Sequence, residues 1–175
     1  MRLLLLYGPH GVGKLSVAEE IARATNLRLF QNHLTVRIVA EVFGYGAPEF
    51  WRIVEAFTFD VIRSAVASKI DLILPFVYGC PGDDQLLERL FDVVEVEHGE
   101  VLLARLRCSR EELLRRVASE SRIPHGKIVD AQAVASLLDT YDLWAEIPKR
   151  ASFTVDSTSL TPRSTANRVV KGLGL

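Results

Sequence analysis

The stretch Leu3-Leu4-Leu5-Leu6-Tyr7-Gly8-Pro9-His10-Gly11-Val12-Gly13-Lys14-Leu15-Ser16 joins a continuously apolar run to a glycine-rich turn and then to a helical pattern. Five apolar residues without polar alternation are what a strand buried on both faces requires, and such strands belong to parallel sheets. The run ends at Gly8-Pro9, too early for a secretory hydrophobic segment or a membrane span. From Gly8 to Lys14 the chain then reads G-x-x-x-x-G-K. Gly11 and Gly13 permit backbone conformations that aim successive N–H groups into one concavity, which suits a phosphate. A helix opening at Lys14 adds unpaired N–H groups and the positive end of its dipole, and Lys14 supplies a mobile point charge. By composition alone this pattern arises in about 5% of chains of this length, and in about 1% once a strand must precede it and a helix follow. Gly8, Pro9, His10, Gly11, Val12, Gly13, Lys14, Leu15 and Ser16 are therefore the candidate nucleotide-phosphate segment, a Walker A loop, with Lys14 also a catalytic candidate.

Outward from this loop, strand-like and helix-like segments alternate. Residues 14–24 read as a helix, with Val17, Ala18 and Ile21 on one face, and 27–30 as a short strand. Residues 34–43 are helical by period and stop at Gly44-Tyr45-Gly46; Pro48 then opens a helix reaching about Ser68. Residues 72–77 form a buried strand and 78–84 a turn-rich loop. Residues 86–97 fit a helix stopped by Gly99, with a strand at 93–96 as the alternative. Residues 101–106 form a strand, 110–118 a helix, 119–129 a polar loop, 130–144 a helix, 153–155 a last strand and 162–173 a closing helix. Five strands separated by helices predict a parallel five-stranded sheet with helices on both faces, an α/β fold. No repeat or linker divides residues 1–175, which predicts a single domain.

Composition narrows the function classes. With 21 basic and 22 acidic residues among 175, the chain lacks the basic excess of a nucleic-acid binder. A hydrophobic content of 49% excludes a disordered chain. Cys80 and Cys108 make neither a disulfide framework nor a zinc site, so a reduced, cytoplasmic setting is expected, without a membrane partner. Oligomeric state is not legible at this level.

Leu15 stands where a Ser or Thr would ligate Mg²⁺, and Ser16 follows one place later. The loop resembles the adenylate-kinase type, G-x-P-G-x-G-K-G-T. That resemblance implies that Ser16 supports a phosphate while Mg²⁺ is held largely through water, leaving the direct metal ligand open. The wider layout resembles the nucleoside-monophosphate-kinase and shikimate-kinase group of small P-loop phosphotransferases. Gly13-Lys14-Leu15-Ser16 followed by Phe30-Gln31-Asn32-His33-Leu34 suggests an AAA-type or shikimate-kinase-like bacterial branch. The resemblance implies a three-layer P-loop NTPase fold with a small lid at about 119–127, and transfer of the γ-phosphoryl of ATP to a small-molecule acceptor.

Three further matches carry it. Trp51-Arg52-Ile53-Val54-Glu55 is similar to the F-R-x-x-E segment of shikimate kinases, which implies that Arg52 binds an acceptor; an Arg52–Glu55 ion pair on one helical face is the structural alternative. Arg115-Arg116 and Arg122 fall where the group carries lid arginines. The implied roles are Arg116 against the base and Arg122 on the transferring phosphoryl group. Val155-Asp156-Ser157-Thr158 resembles the last-strand loop bordering adenine, which assigns Asp156 and Ser157 to the nucleotide.

The departures concern the acceptor. Where shikimate kinases carry acidic residues after the second strand, this chain has Gln31-Asn32-His33, and their Gly-Gly-Gly becomes Phe76-Val77-Tyr78-Gly79. The second carboxylate-binding arginine aligns with Thr140, so shikimate itself is disfavoured. Asn32, His33, Arg52 and Tyr78 are the acceptor candidates. His33 is also a general-base candidate, and Asn32 is alternatively a helix cap. No carboxylate ends the third strand, since Asp83-Asp84 lie beyond its exit. A non-catalytic ATP-binding regulatory module is therefore the competing reading. A GTPase switch is set aside for want of N-K-x-D and D-x-x-G segments.

Overall fold

The apolar run becomes β1 (Arg2–Tyr7), with Leu3–Leu6 fully buried, at the centre of a parallel sheet. The computed structural model describes residues 1–118 and 130–175. The chain continues through α1 (Lys14–Ala24), β2 (Arg28–Leu29), α2 (Asn32–Phe43), α3 (Pro48–Ala67), β3 (Leu72–Phe76) and α4 (Asp84–Glu95). It then forms β4 (Glu100–Arg107), α5 (Arg110–Val117), α6 (Ala131–Thr140), β5 (Phe153–Asp156) and α7 (Pro162–Leu173). The strand order is β2-β3-β1-β4-β5, every pair parallel. Leu3 lies opposite both Leu72 and Val101, and Tyr7 opposite Phe76 and Arg105, so β1 is enclosed by apolar neighbours along most of its length.

Strand side chains alternate between two helix layers. Leu4 and Leu6 face a core with Val17 and Ile21 of α1, Val117 of α5 and Val169 of α7. Leu3, Leu5 and Tyr7 face the other, with Phe59 and Ile62 of α3 and Leu90 and Phe91 of α4. The connection from β1 runs through α1 past β3 to β2, whereas that from β3 runs through α4 past β1 to β4. Loops leaving the carboxyl ends of β1 and β3 therefore diverge and open a crevice, where sheets of this kind bind ligands.

Helix ends follow local chemistry. Ser109, Asp130 and Thr161 cap α5, α6 and α7 with side-chain oxygens, and Pro48 opens α3. Gly13 and Gln31, which precede α1 and α2, make no side-chain cap bond.

Several expectations need adjusting. β2 is two residues long, with Leu27 buried just before it, and Phe30 N beyond it still donates to Ile73 O at 2.9 Å. α2 begins at Asn32 rather than Leu34. Val93 and Val94 lie within α4, and the strand alternative at 93–96 is not formed, because Val94 is needed in the core on the helical repeat. α6 stops at Thr140, where Tyr141 becomes extended; Leu143 and Ile147 then bury themselves along the way to β5. There Arg105, buried in β4, holds the connection by donating to Trp144 O and pairing with Glu146. The expected lid at 119–127 lies outside the described residues. Among the described residues, no helix is long and apolar enough to cross a membrane.

Candidate nucleotide site

The turn after β1 is shaped by what a side chain would strike. Gly8 has φ of 146°, and a Cβ there would lie 2.5 Å from Leu106 O in β4. Gly11 has φ of 89°, and its Cβ would meet Val117 of α5 at 2.5 Å. Both positions demand glycine twice over, for conformation and for space. The chain then passes through Gly13 in the left-handed region into α1, whose first turn carries no acidic residue. The result is a concavity of backbone N–H groups backed by a helix N-terminus with no side-chain cap, which is the electrostatic requirement for phosphate. Lys14 reaches back across the turn, its Nζ donating to Gly8 O at 2.7 Å and Pro9 O at 2.8 Å. Pro9, Val12 and Leu15 are buried, so those three residues offer backbone groups only, whereas Ser16 is exposed on the first turn of α1.

Arg116 ties this loop to the far edge of the sheet. Its guanidinium donates to Val12 O at 3.0 Å, to Ser157 Oγ at 3.2 Å and to Ser157 O at 2.6 Å, while its Nε donates to Glu112 at 2.7 Å. The in-plane donors are thus engaged by protein, and the flat face is what remains for a planar ring. Arg115 and Arg116 together hold the Glu112 carboxyl down at about 2. Ser157 is buried, its hydroxyl also donating to Arg107 O at 3.1 Å, so it shapes the β5–α7 turn from within. Asp156, by contrast, is exposed, and accepts from the Thr158 hydroxyl at 2.6 Å and the Thr158 N–H at 2.9 Å. Those bonds hold its carboxyl below the usual range. Cys108, nearby and buried, is pushed up to about 11 by that burial.

On the β3 side, one acceptor candidate needs correcting. Tyr78 is fully buried, edge-on to Tyr7 at 6.3 Å, with its hydroxyl donating to Asp84 at 2.5 Å. Burial and the Asp84 bond raise its pKa. A core ring held in this way packs the sheet and does not line the crevice. The neighbouring Asp83 accepts from Gly79 N at 2.7 Å, and burial raises its carboxyl. Both carboxylates beyond the third strand therefore fasten the loop that precedes them.

Asn32 and His33 open α2, directly beyond β2. Asn32 is not a cap: it sits inside the helix, and its Oδ1 accepts from Thr58 at 3.0 Å, binding α2 to α3. His33 is half-buried. Arg52 on α3 is exposed and has no hydrogen-bond or ion-pair partner among the described residues, while Glu55 pairs instead with Arg89 at 3.1 Å. The Arg52–Glu55 pair is thus absent. Phe30 and Phe57 add an aromatic pair at 6.4 Å beside this wall, with Phe57 half-exposed. Arg122 lies outside the described residues. Sequence reasoning missed Glu112, Thr58 and Arg105. Only Glu112 had a local signal, its four-residue spacing from Arg116.

No protein-family model matches the chain, and no curated protein matches it by sequence. Solved structures do match in fold. A gluconokinase from Sinorhizobium meliloti superposes with a TM-score of 0.66 at 17% identity, covering 99% of this chain and 91% of that one. A tunicamycin resistance protein from Deinococcus radiodurans gives 0.65 at 15% identity over 100% and 97%. A shikimate kinase from Bacteroides thetaiotaomicron gives 0.58 at 18% identity over 100% and 99%. The chain therefore has the α/β fold of the P-loop kinases, with the strand order described above.

Proposed function

We propose that the chain is an ATP-dependent small-molecule kinase, moving the γ-phosphoryl group of ATP to a hydroxyl of a small acceptor. The observation that carries this reading is the concavity between β1 and α1, walled by Gly8 and Gly11 and crossed by Lys14. In it, the N–H groups of residues 11–16 would receive the β-phosphate, and Lys14 would exchange the carbonyls of Gly8 and Pro9 for β- and γ-phosphate oxygens. Ser16 would support a phosphate, and the Arg116 face with the Asp156–Thr158 turn would border the base. Among the described residues no group of three His, Cys, Asp or Glu side chains can hold a metal. A Mg²⁺ would be carried by the phosphates and water, with the exposed Ser16 hydroxyl on the first turn of α1 available beside them. When bound, Mg²⁺ neutralises the β- and γ-phosphate oxygens.

In the transfer, the bond from the γ-phosphorus to the bridging β,γ-oxygen breaks and one to the acceptor oxygen forms. His33 would take the acceptor hydroxyl's proton, and Arg122 would face the spread charge of the moving group. Asn32 and Arg52 would hold the acceptor, drawn from nucleosides or nucleotides, sugar acids and antibiotics. The Phe30–Phe57 wall favours members with an apolar or aromatic body. We further assign residues 1–175 to one domain, acting in the cytoplasm without nucleic-acid or membrane partners.

The test is ADP release from ATP–Mg²⁺ across pooled acceptors, by wild type and Lys14→Ala. Acceptor-stimulated release that falls at least ~100-fold in the variant, with an unchanged melting temperature, is expected. Near-normal turnover in Lys14→Ala removes the mechanism. The competing reading, a non-catalytic ATP-binding module, is favoured by Asp83 and Asp84 being bonded within their own loop. Arg122→Ala separates the two: a loss of rate exceeding any loss of ATP affinity supports transfer.

A further inference from the structure

α2 is apolar on two faces, and only one of them is covered. Val36, Val39 and Ala40 pack on α3. The opposite face carries Leu34, Ile38 and Val42, exposed by 46%, 66% and 70%. At four-residue spacing these three form one stripe about 12 Å long, given a rise of ~1.5 Å per residue. Tyr45, 72% exposed, extends it past the helix end.

We propose that this stripe is where two copies of the chain associate, α2 against α2, antiparallel about a two-fold axis near Ile38. The axis sets Leu34 of each copy against the partner's Val42, and Ile38 against the partner's Ile38. Charge selects this occupant and this orientation. Arg37 and Glu41 are both exposed, and neither has an ion pair or hydrogen bond among the described residues. Their order along the helix, base before acid, is the weaker one for pairing within a helix. At ~100° per residue both lie on the same flank of the stripe. An antiparallel two-fold brings like flank against like flank, so each Arg37 meets the partner's Glu41 and the patch is its own complement. A parallel arrangement would set both charges against the other flank, which holds Thr35 and no charge.

The size of the patch sets the strength. The four apolar side chains and the stems of the two charged ones present on the order of 500 Å² per copy. About 1,000 Å² in total lies at the small end for a specific interface, so the dimer is concentration-dependent.

The experiment is sedimentation of the full chain over a concentration series. Wild type is expected to move from 19.5 kDa toward twice that mass as concentration rises. Arg37→Glu and Glu41→Arg should each remain at the single-copy mass, having made the flank uniformly acidic or basic. Mixing these two variants, or combining both changes in one chain, should restore association. Circular dichroism melts confirm that each variant is folded. A wild type that stays at single-copy mass overturns the proposal, including when an acceptor or another protein is found on the stripe. So does association that survives each single reversal, or that neither mixing nor the double exchange restores.

Discussion

The glycine turn between β1 and α1 and the α2–α3 hairpin are held in opposite ways. The turn is fixed from several directions. β4 presses on Gly8, α5 presses on Gly11, and Arg116 stitches the loop to the turn at Ser157, itself 41 residues beyond Arg116. In the hairpin, α2 and the start of α3 rest on a small cluster of their own, Val39, Phe50 and Val54, with the Asn32–Thr58 bond near its base. Only the later part of α3 joins the sheet core, through Phe59 and Ile62. Sites for invariant charge gain from rigidity, because donors already in place need no reorganisation at the moment of transfer. A region with few buried contacts opens at low cost, which would suit the acceptor side of the proposed transfer.

Paired glycine substitutions sharpen the contrast most. Gly8→Ala forces a Cβ onto Leu106 O and should cost about 3 kcal/mol. Gly46 also has a positive φ, 84°, but nothing within 4 Å of its Cβ position, and Gly46→Ala should cost about 1 kcal/mol. Equal losses in urea titrations of the two variants would break the comparison. Next comes Arg116→Ala, which removes donors from Val12 O and Ser157 O and should cost about 2 kcal/mol. Arg116→Lys is expected to recover little of that, since one ammonium cannot span both carbonyls.

Amide exchange offers a test without mutation. Exchange in α2 should be at least ~10-fold faster than in β1 and α1, reflecting local opening of the hairpin. Acid gives a smaller effect, confined to the loop side. Glu112 has a folded value depressed to about 2 from 4.5, so its contribution is complete above 4.5 and is lost as pH falls through about 2. The Arg116 side-chain NMR signals should therefore hold their position down to about pH 4 and move only as the pH approaches about 2. Smallest of all, Arg52→Ala should leave the melting temperature unchanged, because Arg52 has no partner among the described residues to lose. An effect on acceptor KM alone is the expected readout.

What the sequence determined by itself is local or periodic. Continuous apolarity marked β1 and β3 as buried strands. The 3.6-residue repeat marked α1, α3 and α7 almost to the residue, and the glycine spacing placed a turn between β1 and α1 before any coordinates. These features need only the chain's own conformational preferences and one buried face. The acceptor candidates were legible only as a set of residue types, because their layout depends on contacts that no local pattern encodes. Tertiary structure alone decided that Tyr78 is core, since only folding sets it against Tyr7. It likewise decided that Asn32 serves Thr58 rather than a helix end, a bond between residues 26 apart. Arg116 belongs to the same class: its bond to Val12 O spans 104 residues. The hydrogen-bonding capacity of a guanidinium can be read from sequence, but the carbonyls it will find are set by how the layers close.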